Sequence, residues 1–529
     1  MNPHHSDRAH PLLHPLLLGL VLLLTMASAL ALPVLAQEGD GDAAGASMEK
    51  PAEGAAAKHN STQHAVTIDG QKIDYTATAG WLILKNQEGK PTARFGYTAY
   101  TRNGVSDLSK RPVMFAFNGG PGSSSIWLHM GVLGPRRVVA TDAGHTPPPP
   151  SERQANEYSI IDVSDLVMID PVGTGFSKPV GEGKGSDFWG VDQDVASVAQ
   201  FIKLYITENG RWASPKYVLG ESYGGIRAAG LSWHLQSRHG MNLNGVILVS
   251  PFLNMGSGID GGGIDLPHVL YFPTLAATAW YHDLLDDKPE SIEDYMTEVE
   301  SFAYQEYAPA LLAGYTIDST RKQAVAEKLA RYTGTEPGYW LRADLRVSHP
   351  QFLQELQRNE RVVTGRIDSR FTGPSVNPLS EAMDYDPFFP AVGPAFTAAF
   401  LDYLHSELKF GQDEDYRVSA FGIDWDWSHR PPGGGGWEVP WANLRADLAM
   451  AMTHNPGLHL LVQQGYYDLA TPLLATKHDI EHLDITEDAR ERIRMAYYEA
   501  GHMMYLHQPS LEKYRDDLAS FVRDTDRVD

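Results

Sequence analysis

The sequence predicts an α/β fold with a doubly wound, mostly parallel sheet and a helical insertion, and three observations point there. Short apolar runs at 112–117, 165–169, 216–219 and 245–250 alternate with helix-like stretches, the rhythm of strands joined by crossover helices. These runs are apolar throughout, as strands covered on both faces must be. Finally, Gly220-Glu221-Ser222-Tyr223-Gly224 stands between the run at 216–219 and a helix-prone stretch opening at Gly225. A G-x-S-x-G placed so reads as a strand–turn–helix that holds a serine exposed above a sheet, with glycines where side chains would clash.

Taken in order, the core is expected over 65–252. Runs at 81–84 and 95–100 suggest an early antiparallel section. The run at 112–117 leads into Asn118-Gly119-Gly120-Pro121-Gly122, which no strand or helix would continue. Val191, Val195, Val198, Ile202, Tyr205 and Ile206 recur at helical spacing and give one buried face. The order breaks at Pro251, and the glycine-rich stretch 256–263 opens a mostly helical, aromatic-rich segment that closes near the glycines at 433–436. Residues 253–438 are therefore expected to form a cap insertion. The core resumes over 439–529 with a helix at 440–453, a strand at 458–462, a helix at 472–484, a strand at 494–498 and a last helix at 509–522. No internal repeat is evident.

Composition narrows the function classes. The 529 residues are 43% hydrophobic with 11 tryptophans, enough for a substantial core. A formal charge of −23 argues against a nucleic-acid surface, which needs clustered Lys and Arg. Residues 1–36 read as a signal peptide: Arg8, then the apolar run 16–24, then Val34-Leu35-Ala36 before Gln37. Pro33 and the small-residue exit favour cleavage over a retained anchor, so the chain is expected to be exported, to a bacterial periplasm or exterior. Residues 37–64 read as a disordered Ala/Gly/acidic linker. There is no cysteine, so stability rests on the core, and no lipoprotein anchor can form. Asn60-Ser61-Thr62 fits a glycosylation acceptor but carries little weight in a bacterial setting.

Ser222 needs a base, because a serine hydroxyl is a weak nucleophile at neutral pH. His502, just past the strand at 494–498, is the candidate. Asp468, in Gly465-Tyr466-Tyr467-Asp468 after the strand at 458–462, is the candidate that would orient it, in preference to the nearby Asp479 and Asp484. The chain order Ser, Asp, His is one of the known triad orders. A competing pattern is His478-Asp479-Ile480-Glu481-His482, an H-x-x-E-H that could bind zinc through His478, Glu481 and His482. Its placement on a surface helix makes ordinary solvated side chains the better reading.

Four blocks together resemble the serine carboxypeptidase family of the α/β-hydrolases: Asn118-Gly119-Gly120-Pro121-Gly122-Ser123-Ser124, Asp170-Pro171-Val172-Gly173-Thr174-Gly175-Phe176-Ser177, Gly220-Glu221-Ser222-Tyr223-Gly224-Gly225, and Gly501-His502-Met503. The resemblance implies removal of C-terminal residues from peptides through an acyl-enzyme on Ser222, without metal or organic cofactor. It implies an oxyanion hole from the N–H groups of Gly120 and Tyr223, and a carboxylate site from Asn118, Gly119 and Glu221. It also implies a second Glu at 132, where this chain has Val132; Arg136 or Arg137 could supply a charge instead. The family's cysteine is replaced by Ser123, so its bridge cannot form. Esterase or acyltransferase chemistry on the same triad is the main alternative, and oligomeric state is not legible.

Overall fold

The computed structural model describes residues 56–259, 263–420 and 422–527. The segment read as a signal peptide and most of the linker lie outside them. Fourteen strands follow in chain order: β1 (Lys58–Ile68), β2 (Gln71–Lys85), β3 (Pro91–Arg102), β4 (Val113–Phe117), β5 (Arg136–Val138), β6 (Arg153–Ala155), β7 (Asp165–Ile169), β8 (Lys178–Pro179), β9 (Lys216–Glu221), β10 (Gly245–Val249), β11 (Val362–Thr364), β12 (Thr372–Pro374), β13 (His459–Gly465) and β14 (Ile493–Tyr498). The main sheet runs β1-β2-β3-β7-β4-β9-β10-β13-β14, with β8 on β3. From β7 to β14 neighbouring strands are parallel; from β1 to β7 they are antiparallel.

One expectation is corrected at the start of the chain. Residues 58–64, assigned from composition to the linker, belong to β1, which pairs along its whole length with β2 from Lys58↔Trp81 to Ile68↔Gln71. The cause is the turn between them. Asp69 and Gly70 hold φ 48 and 75, the two positive angles of a tight hairpin, and this zips a polar edge strand onto an apolar one.

Successive residues of the central strands point to opposite faces, and the two faces carry separate cores. Phe115, Val167, Val218 and Leu248 meet the helices Val191–Glu208 and Gly224–His239 through Val198, Phe201, Ile202 and Leu231. Met114, Leu166, Leu219 and Val249 meet the helix Gln508–Thr525 through Tyr514, Leu518 and Phe521. This places helices on both faces of a buried parallel sheet. The helix expected over 440–453 begins only at Arg445, because the chain before it is extended: Ala442 O accepts from Met255 N and Leu444 N donates to Leu253 O, both at 3.0 Å.

Residues 253–438 are mostly helical, with the β11–β12 pair among the helices. They do not pack as one body. The helices Leu266–Tyr281, Ile292–Phe302 and Ser319–Thr333 build a third core that reaches Tyr467 and Leu474. The helix Phe388–Ser406 instead sends Phe396, Phe400 and Tyr403 into the core under the sheet, with Trp81 and Tyr100. Among the described residues no helix is long and apolar enough to cross a membrane.

Candidate active site

Ser222 follows the last residue of β9 and holds φ 64, a left-handed angle uncommon for a residue with a side chain. The turn is pinned from three sides. Ser222 N donates to Val249 O at 3.0 Å, and its carbonyl accepts from Gly225 N at 2.8 Å and Phe252 N at 2.9 Å. The flanking glycines are required here: a Cβ on Gly220 would lie 2.0 Å from Gly224 O, and one on Gly119 would lie 2.5 Å from Tyr223 N. The oxyanion-loop candidate and the turn thus touch backbone to backbone.

His502 and Asp468 are both buried, and His502 Nδ1 lies 2.8 Å from Asp468 Oδ2. Asp468 is an acceptor throughout: Oδ1 takes the amides of Ala470 and Thr471 at 2.8 and 3.0 Å, and Oδ2 takes the Thr471 hydroxyl at 2.7 Å and Gln464 Nε2 at 3.2 Å. Nδ1 therefore carries the proton, which leaves Nε2 free to act as a base. Burial alone would lower the imidazole pKa, but the Asp468 carboxylate outweighs it and, helped by Glu221, raises it. Ser222 and His502 line one cleft of about 650 Å³.

The glycine loop is braced from below and beside. Asn118 O accepts from Arg227 Nη1 at 2.7 Å, while Arg227 Nε pairs with the buried Asp194 at 2.7 Å. Asp170 Oδ1 takes the Ser125 amide and its Oδ2 the Tyr416 hydroxyl, both at 2.9 Å. Burial pushes the Asp170 carboxyl up to about 6. From the insertion, Ala420 N donates to Gly122 O at 2.7 Å and Ser124 N to Val418 O at 2.9 Å. Gly120 (φ 105) and Tyr223 donate no amide hydrogen bond to any described residue, which suits both to an incoming oxyanion. The Tyr223 ring is held edge-on by Trp425 and Trp427 at 5.4 and 5.8 Å.

Beside the serine, Asn118 Nδ2 donates to Glu221 Oε1 at 2.7 Å, and Asn118 Oδ1 accepts from Leu128 N at 3.0 Å. The other Glu221 oxygen accepts from Tyr505 Oη at 2.9 Å. Burial pushes the Glu221 carboxyl up to about 7, against the opposing pull of His502 and Tyr505. Val132 is buried in the core beneath. A Cβ on its neighbour Gly131 would lie 2.2 Å from the Tyr505 ring, so the phenol reaches Glu221 across a glycine.

The structure does not bring Arg136 or Arg137 to this cleft. Both lie on β5, where Arg136 Nε pairs with Glu407 at 3.0 Å and Arg137 stacks 5.6 Å from the Tyr158 ring. The arginine that does line the cleft is Arg366, from the insertion. Arg366 and Tyr505 are the two site residues that the sequence reading missed. Tyr505 stands three residues past His502, but Arg366 lay in a segment with no matched motif.

His478 sits on the helix Leu473–Glu481, with the His478 and His482 rings 4.0 Å apart. His482 Nδ1 is bonded to the His478 carbonyl at 2.8 Å, and Asp479 turns inward to Ser257 at 2.7 Å. Among the described residues no group of three His, Asp or Glu is arranged to hold a metal ion.

Sheet order, the turn at Ser222 and the chain order Ser, Asp, His define an α/β-hydrolase. Residues 69–332 match the model of the serine carboxypeptidase family, and the chain belongs to that family. Serine carboxypeptidase-like 36 of Arabidopsis thaliana is 29% identical over 195 residues, which are 35% of this chain and 37% of that relative. The chain thus spans well under half the length of this curated relative. A prohormone-processing carboxypeptidase from Saccharomyces cerevisiae aligns over 85% of this chain and 92% of its own, at 16% identity and a TM-score of 0.49. A proline iminopeptidase from Mycobacterium smegmatis aligns over 88% and 99%, at 14% identity and a TM-score of 0.36.

Proposed function

We propose that this protein is a serine-type carboxypeptidase that releases C-terminal residues from peptides. The observation that carries this reading is that one cleft holds both Ser222 with His502 and the hydrogen-bonded Asn118–Glu221 pair. His502 Nε2 takes the Ser222 proton as the hydroxyl attacks the last peptide bond, and Asp468 steadies the imidazolium that forms. The N–H groups of Gly120 and Tyr223 receive the developing oxyanion. His502 then protonates the departing amine, leaving an acyl-enzyme on Ser222 that water opens by the same steps in reverse order. Asn118, the Gly119 backbone and a protonated Glu221 would bind the terminal carboxylate, because a neutral acid donates to an anion where an ionised one repels it.

We read the chain as exported, from its apolar run at 16–24. Blocked dipeptides with free, amidated and esterified C-termini test the activity. Release of the terminal residue from free acids, lost in Ser222→Ala, is expected. Turnover of esters alone would replace the peptidase by an esterase or acyltransferase on the same residues.

A further inference from the structure

Arg366 stands where a substrate's anionic end could meet it, and its position is built rather than incidental. Its carbonyl accepts from Leu469 N, the residue after Asp468, at 3.0 Å. The next carbonyl, of Ile367, accepts from His502 N at 2.8 Å, and Ile367 N donates to Asp386 Oδ2 at 3.0 Å. The Arg366 backbone is thereby sewn between the two loops that carry Asp468 and His502. Its side chain is half-buried and lines the same cleft as Asn118, Glu221 and Ser222.

That guanidinium joins no ion pair and donates no hydrogen bond to any described residue. Two charged or titratable groups sense its charge, Asp386 and His502, and Glu221 lines the same cleft. Burial raises the Asp386 carboxyl pKa, opposed by the amides of Phe388 and Ile367, each at 3.0 Å, and by the attracting charge of Arg366, with which it makes no ion pair. His502 is engaged with Asp468, and its imidazole feels the guanidinium as an opposing charge. Glu221 is tied to Asn118 and Tyr505. A half-buried guanidinium outside any ion pair, on the cleft that holds the Asn118–Glu221 pair, suits an anion, and its planar fork matches a carboxylate.

We propose that Arg366 is the cationic residue that reads the carboxylate of a peptide's free C-terminus, acting beside the Asn118–Glu221 pair. The inference rests on the carboxypeptidase reading and adds a specificity-determining residue to it. Because a guanidinium keeps its charge at any working pH, the preference for free acids outlasts ionisation of Glu221.

The test is kcat/KM for a blocked dipeptide and its amide at pH 5.5 and pH 8, in wild type, R366Q and R366K. The acid-to-amide ratio is taken within each variant, so a general loss of activity cancels, and thermal melting checks the fold. At pH 8 the ratio should fall at least about tenfold in R366Q, the scale of one charge-assisted pair, with R366K intermediate. A ratio in R366Q within twofold of wild type at pH 8 overturns the inference, as does a change confined to the residue preferred before the scissile bond. A wild type with no preference for acids, or inert on both substrates, sinks the carboxypeptidase reading and this inference with it. Failure of the reading therefore appears in the wild type, and failure of the inference only in the variants.

Discussion

Tyr505 Oη lies 2.9 Å from Glu221 Oε2, and a phenol is thus the partner of a buried acid beside the serine. Burial holds the Tyr505 hydroxyl well above its ordinary pKa, with Glu221 adding to the shift, so it stays a neutral donor. It cannot share a proton with Glu221 as a second carboxyl would. Tyr505→Phe should leave one buried oxygen without a donor and cost about 1–3 kcal/mol. It should also raise the Glu221 pKa further, because the phenol stabilises the ionised form. Infrared titration of the carboxyl, with urea melts, would check both; an unmoved titration would refute the pairing.

Glu221 gives stability a pH dependence of known sign. Its folded pKa of about 7 lies above the ordinary 4.5. Between those values the folded chain binds the extra proton, so stability falls as pH rises from about 4.5 through 7. Glu221→Gln should therefore gain on wild type in melting temperature at pH 8 compared with pH 5. A difference that is flat with pH would contradict it.

His429 contributes with the same sign, in a higher pH window. Burial would lower its pKa, but Asp192 Oδ1 at 2.6 Å and Asp447 Oδ2 at 2.8 Å raise it to about 9. A cation with a raised folded pKa adds stability that is complete below the unfolded value of about 6.5 and is lost as pH rises through 9. His429→Gln should cost most at pH 6 and little at pH 10, measured as urea midpoints. An equal loss at both would remove the imidazolium from the account.

Ser222→Ala should lower kcat by about 10⁴–10⁶-fold, and His502→Ala by a similar factor, because the groups act as a unit. Labelling by a serine-directed phosphonate should vanish in Ser222→Ala. Ser222→Ala activity within tenfold of wild type would overturn the mechanism.

Gly119→Ala probes the contact between loop and turn. Its Cβ would lie 2.5 Å from Tyr223 N and 2.7 Å from Gly224 N, forcing apart the two proposed oxyanion donors. Loss of one such donor costs about 10²–10³-fold in kcat, and at least that is expected here with KM less affected. A variant as fast as wild type would show that the loop yields freely.

The legible parts of the molecule were those with local signals. Strands such as β10, Gly-Val-Ile-Leu-Val, announce a buried sheet in five residues, and Ser222 sits between glycines whose absence of side chains is a steric demand. The start of β1 was missed because its residues are polar on an edge, although Asp69-Gly70 marked the turn. A charge to replace the second Glu, where Val132 stands, was sought at Arg136 and Arg137, just past Gly134-Pro135. Arg366 reaches the cleft through long-range contacts of its carbonyl with Leu469 N and of the Ile367 carbonyl with His502 N, which no local pattern encodes. Tyr505 depended on Gly131, a position that matters only once the two segments meet.

The short backbone ladder between 417–420 and the glycine loop has a consequence for how the proposed activity can fail. With no cysteine in the chain, the loop that bears Gly120 is tethered to the insertion by two backbone hydrogen bonds, Ala420 N to Gly122 O and Ser124 N to Val418 O. Reductants and oxidants have no bond to switch there. Loosening of the insertion, by heat or by a protease nick, would instead release the loop while the central sheet stays intact. Inactivation should then precede unfolding, and the insertion becomes a fuse for the chemistry as well as a wall of the cleft.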